Sequence, residues 1–322
     1  MVETLKNFPA HEIIKKPGAY LKELAGLTSL ISIEQNKKMS ALLPKCGPKH
    51  FDDEGRVEVN SFGEESGGLY KKETVQADLE KANKIEESFF PDVNLETVQA
   101  YYKGRAGRED LTAEEIKREI KKERALRESN IAEIAINAVF NKVLSKKNLV
   151  VARTAKLDDM ENGIDTFIFN PETGEIICGF DEVNYNDENE IRADSPDRKA
   201  KKESADKKKE KVRRIANQGG ARLKYAYRLA KDESGEKTVK QGSVENLPVL
   251  YLGISKRDLE TLLAGMNYNN SEEANEVEQI IFNKIVSSIG EQLEMFNKEA
   301  DIPKPVRKNL NKLPDFLKKL KE

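Results

Sequence analysis

The sequence predicts an α/β fold in which a mixed sheet is flanked by helices, with helical N-terminal and C-terminal additions. Three observations carry this. A broad helical stripe begins at Ser129 and gives way to short apolar strands from Leu149. The stretch Gly163-Ile164-Asp165-Thr166-Phe167-Ile168-Phe169 reads as a strand, and so does Glu175-Ile176-Ile177-Cys178-Gly179-Phe180-Asp181-Glu182-Val183. Asn170 to Gly174, with Pro171, suits the tight turn between them. The order helix, three strands, helix, strand, strand, helix then places one mixed-sheet core over residues 129–265.

Taken in order, residues 1–70 carry scattered apolar runs broken by Pro44, Gly47, Pro48, Gly63, Gly67 and Gly68. They are expected to form a weakly ordered lead with one or two short helices. The spacing of Val75, Leu79, Ala82, Ile85 and Phe89 predicts a helix over 74–90, with Pro91 just past its end. This helix lies within a weakly ordered and helical N-terminal region, 1–110. Thr112 opens a capping box with Glu115, and the charged helix behind it is a spacer over 111–128.

Ile131, Ile134, Ala135, Ala138 and Val139 share one helical stripe, which Ile136, Phe140 and Val143 broaden. So wide an apolar arc belongs against a sheet. Ala221 to Leu229 alternates and reads as a strand, 231–246 as a polar loop, and Leu247 to Ile254 as a further strand. Ser255 caps a helix to about Gly265, and another spans roughly 271–298 within a C-terminal extension, 266–322, whose tail is peripheral.

Composition bounds the partners. Of the residues, 38% are hydrophobic and 35% charged, and 55 basic against 57 acidic residues leave a net charge of -2. Affinity for nucleic acid would therefore rest on local patches. One such patch is 192–214, where eleven Lys/Arg face five Asp/Glu, a net of +6. Cys46 and Cys178 are expected as reduced thiols, and with only His11 and His50 they build no zinc spacing. The apolar patch Leu24–Ile33 is far short of the ~20 residues that span a bilayer. The expected setting is cytoplasmic, without a membrane partner.

Chemistry concentrates in the hairpin. Asp165 enters its first strand and Asp181 leaves its second, so an antiparallel pairing sets them opposite each other. Two facing carboxylates repel unless a cation lies between them, and Mg²⁺ (or Mn²⁺) prefers oxygen ligands and can activate water at a phosphodiester.

This pattern resembles the restriction-endonuclease-like PD-(D/E)xK nuclease superfamily: an aspartate, a hairpin, then Asp/Glu-x-Lys, on a core of helix, three-stranded meander, helix and strand. Residues 129–229 follow that order, about a third of the chain. The resemblance implies Asp165 and Asp181 as metal ligands, with Glu133 as an additional acidic ligand. It departs at Val183, which stands where the motif lysine belongs. The missing cation is either supplied by Lys199, Lys201, Lys202 or Lys224, or lost.

The implied function is a metal-dependent nuclease-like phosphodiesterase acting on DNA or RNA, with Tyr225 and Tyr227 available to stack on bases. Two alternatives stand beside it. One is an inactive nuclease-fold module that binds nucleic acid or serves assembly. The other is a helical interaction protein that docks a partner through 74–128 and 271–298.

Overall fold

A computed structural model describes residues 17–88, 112, 115, 128–185, 209–231, 234–267 and 272–321. A four-stranded mixed sheet lies at its centre, in the order β1-β2-β3-β6. Strands β1 (Val150–Arg153), β2 (Thr166–Asn170) and β3 (Glu175–Tyr185) form an antiparallel meander, and β6 (Val249–Ser255) adds to β3 in parallel.

Helix α3 (Glu128–Leu144) covers one face, as its wide apolar stripe requires. Phe140 stacks on Phe180 of β3, with ring centroids 5.6 Å apart, and meets Phe282 at the same distance. Phe282 belongs to the long helix α7 (Glu272–Lys298), which packs on β6 beside α6 (Lys256–Asn267). The Ser255 hydroxyl accepts the Asp258 N–H at 3.0 Å and caps α6. The opposite face is covered by a ribbon of β4 (Ala221–Lys231) and β5 (Lys237–Leu247), a separate two-stranded sheet. Its buried Tyr227 lies 5.9 Å from Phe169, and Leu247 approaches Gly179.

The ribbon corrects the strand order. Residues 221–229 do not join the central sheet; the strand that does is 249–255. Residues 237–247 are a strand and not a polar loop. Their exposed positions are Lys237, Lys240 and Glu245, because only one side of a two-stranded ribbon meets the core.

The lead is also better ordered than its breakers suggest. Helix α1 (Pro17–Leu42) runs for 26 residues and is followed by tight turns and two short 3₁₀ segments. Phe51 and Phe62 are fully buried and anchor those turns, so the glycines and prolines shape a compact strap. Helix α2 (Lys72–Ser88) agrees with its periodicity. At the other end, α8 (Lys304–Leu310) and α9 (Leu313–Lys321) bury Val306, Leu310, Leu313 and Phe316, so the tail is packed on the core.

Two polar seams tie helix α1 and the strap to the sheet. Asn141 of α3 donates to the Val151 carbonyl at 3.0 Å, and Gln35 of α1 reaches the same oxygen at 2.5 Å. Along the edge of β1, the Arg153 N–H donates to the Gly55 carbonyl at 2.9 Å, and the Val57 N–H to the Arg153 carbonyl at 3.0 Å. Thr112 and Glu115 form the expected reciprocal capping bonds. Both cysteines are free, Cys178 buried and Cys46 half-buried. Among the described residues, no helix is long and apolar enough to cross a membrane.

Candidate metal centre

The site is assembled where β2 begins. A short helix, α4 (Lys156–Asn162), interrupts the meander and ends at Gly163, whose φ of 59° is left-handed. The Gly163 N–H closes the helix on the Asp159 carbonyl at 2.7 Å. Two residues on, the Asp165 N–H donates to the Phe180 carbonyl at 2.7 Å, and the Asp165 carbonyl accepts the Thr154 N–H at 2.9 Å. These bonds fix the strand entry and, with Thr166 paired to Phe180, set Asp165 beside Asp181.

Three elements then deliver three carboxylates. Glu133 comes from the first turns of α3, Asp159 from α4 and Asp165 from the entry of β2. One oxygen of each lies within 4.8 Å of the others. Two arginines hold this charge in place. Arg153, fully buried on β1, donates from Nη2 to Glu133 Oε2 at 2.6 Å and to Asn130 Oδ1 at 2.9 Å. Arg56, carried by the strap, donates to Asp159 Oδ2 at 2.9 Å.

The cations do not satisfy every acid. Burial first, then the charges of Asp159 and Glu133, hold the Asp165 carboxyl well above the usual carboxylate range. Glu182 follows Asp181 on β3 and is also buried. Its two oxygens and the neighbouring Thr166 hydroxyl have no hydrogen bond of ordinary length and angle among the described residues. Burial, with Asp165 and Glu133 adding to it, pushes the Glu182 carboxyl well up. Buried carboxylates of this kind need a cation or a proton. An all-oxygen donor set suits a hard divalent ion such as Mg²⁺ or Mn²⁺, so the residues fit the group.

The expected site residues divide. Asp165 and Glu133 are brought together. Asp181 lies outside the three-acid group, and its Oδ2 accepts Lys211 Nζ at 2.5 Å. Lys224 contacts Asp78 and lies 5.4 Å from the Tyr70 ring centroid, in a separate cluster on β4. Tyr225 and Tyr227 are fully buried against Phe62, which corrects their reading as base-stacking residues. Lys199, Lys201 and Lys202 lie outside the described residues.

Three further residues at the site carry little signal in the sequence. Asp159 sits on a helix hidden between two strands, although Asn162-Gly163 is a helix-stop signal. Arg153 ends a short buried strand and has no sequence signal of its own. Lys211 is one base among many, on the helical segment α5 (209–217). Its signal was the stripe of Val212, Ile215 and Ala216, which turns this helix inward and aims Lys211 at the hairpin. A Cβ on Gly163 would meet the Lys211 ammonium at 2.5 Å, so the glycine also leaves room for this lysine.

No family model, no curated protein and no solved structure matches this chain.

Proposed function

We propose that the chain is a metal-dependent phosphodiesterase acting on nucleic acid, with Glu133, Asp159 and Asp165 as the cation ligands. The observation that carries this reading is the convergence of those three carboxylates, from three elements, within reach of one ion. A divalent cation bound there would supply an activated water and stabilise charge on an attacked phosphodiester. The chain's own residues do the rest. Arg153 orients Glu133, and the Glu182 N–H orients Asp165 through a 2.5 Å bond to Oδ2. Lys211, held by Asp181, takes the place that Val183 leaves empty as the nearby ammonium. The net +6 of residues 192–214, which lead into α5, favours a phosphate-rich partner.

A second reading keeps the fold without catalysis. Val183 and the two arginines already paired to the acids favour it, because a neutralised cluster can serve packing alone. Incubation with single- and double-stranded DNA and RNA, in Mg²⁺, Mn²⁺ or EDTA, separates the two. The phosphodiesterase reading expects metal-dependent cutting that falls at least about 100-fold in Asp165→Ala. Salt-sensitive binding without cutting selects the inactive module.

A further inference from the structure

Arg56 occupies the position a bound cation would contest. Its Nη1 donates to Asp159 Oδ2 at 2.9 Å and to the Thr154 carbonyl at 3.0 Å, and its Nη2 lies 4.0 Å from Glu133 Oε2. The guanidinium therefore spans two of the three candidate ligands. It is delivered by a fixed backbone, since Gly55 and Val57 on either side are bonded to Arg153. The side chain itself keeps 15% exposure, whereas that of Arg153 keeps 1%. Arg153 is held between Glu133 and Asn130, and Arg56 is the less buried of the two.

A second observation points to a ligand at this place. Glu182 is more than nine-tenths buried, adds to the same electrostatic cluster, and has neither oxygen in a hydrogen bond of ordinary geometry among the described residues. Glu182 thus adds a further buried carboxyl beside the acids that the two guanidinia face.

We propose that Arg56 is a stand-in cation, which yields Asp159 and Glu133 to a divalent ion and then holds the phosphodiester of the substrate. The inference rests on the metal-centre reading above. An arginine cannot relieve competition by losing its proton, so a metal ion on the same oxygens displaces it as an intact charge. The planar fork that paired with a carboxylate matches a phosphate equally well. The mouth of the site then gains one positive group as the metal arrives, and substrate binding becomes conditional on metal.

Calorimetric titration of the full chain with Mn²⁺ tests the first half, in wild type, Arg56→Gln and Arg56→Lys, with circular dichroism to verify folding. Loss of the competitor makes Arg56→Gln bind Mn²⁺ about tenfold tighter, with Arg56→Lys between the two. Unchanged or weaker binding in Arg56→Gln, while the wild type binds, overturns the role of Arg56 alone. No binding by any of the three overturns the metal centre itself. The second half is read with diethyl phosphate, followed by the Arg56 Nε–H resonance of the wild type. That signal moves when Mg²⁺ is added and moves again with diethyl phosphate only when Mg²⁺ is present. It also serves if the variants fail to fold. A resonance indifferent to saturating Mg²⁺, or shifted by diethyl phosphate without it, overturns the proposal.

Discussion

Glu182 shows how a single buried carboxyl ties stability to pH. Its folded-state carboxyl is raised above the ordinary value, so the folded protein favours its proton. The stability this contributes is present below the unfolded pKa and is lost as pH rises above it. Metal-free Glu182→Gln is therefore expected to gain on the order of 1–3 kcal/mol at pH 7 and almost nothing at pH 4, by urea unfolding. Saturating Mg²⁺ narrows the difference, because the ion then answers the charge.

His50 behaves with the opposite sign. It is fully buried, both ring nitrogens lack a partner among the described residues, and burial lowers its pKa to about 4. The folded state rejects a proton that the unfolded chain accepts near pH 6.5. The stability is complete above that pH and erodes as pH falls toward 4. Between pH 7 and pH 5 the loss is roughly 2 kcal/mol, and His50→Leu removes that part of the acid sensitivity. A difference curve of unfolding free energy against pH that shows no His50 dependence contradicts this account.

At the level of elements, Gly163 joins helix α4, strand β2 and Lys211. Gly163→Ala forces an alanine to the left-handed φ of 59° and brings a Cβ to 2.5 Å from the Lys211 ammonium. The cost is about 1–2 kcal/mol in thermal unfolding, together with a weakened Lys211–Asp181 pair. The same few residues show what was legible in advance. The hairpin could be read because Pro171 and Gly174 mark its turn and its strands alternate or run apolar. Its register followed, with Asp165 beside Asp181. Side-chain direction did not follow, because Asp165 turns to the Glu182 amide while Asp181 turns to Lys211. Helix α4 is only 7 residues long, too short for periodicity to announce, and it hid Asp159. Strand β5 reads as a loop in the sequence because Lys237, Lys240 and Glu245 fill its exposed positions. Long-range pairings such as Arg56 with Asp159 connect residues about a hundred apart in the chain, and no local pattern encodes them.

Across the whole molecule, the acidic cluster is joined by a segment whose glycines and prolines suggest a weakly ordered lead. The strap between α1 and α2 extends the edge of β1, buries Phe51 and Phe62 and inserts Arg56 among the acids. The central sheet provides the platform: α3 on one face brings Glu133, and α5 brings Lys211 to the end of the hairpin. The acids come from three elements, Arg56 comes from about a hundred residues before Asp159, and they meet only in the folded state. A cation that binds the acids stabilises that state by mass action.

The most direct measurement is the thermal unfolding of the full chain titrated with Mg²⁺ and Mn²⁺, in wild type and Asp165→Asn. The account predicts a midpoint that rises with either ion in wild type, saturably, and stays flat in Asp165→Asn. A wild-type midpoint indifferent to both ions, or an equal rise in the variant, would contradict it.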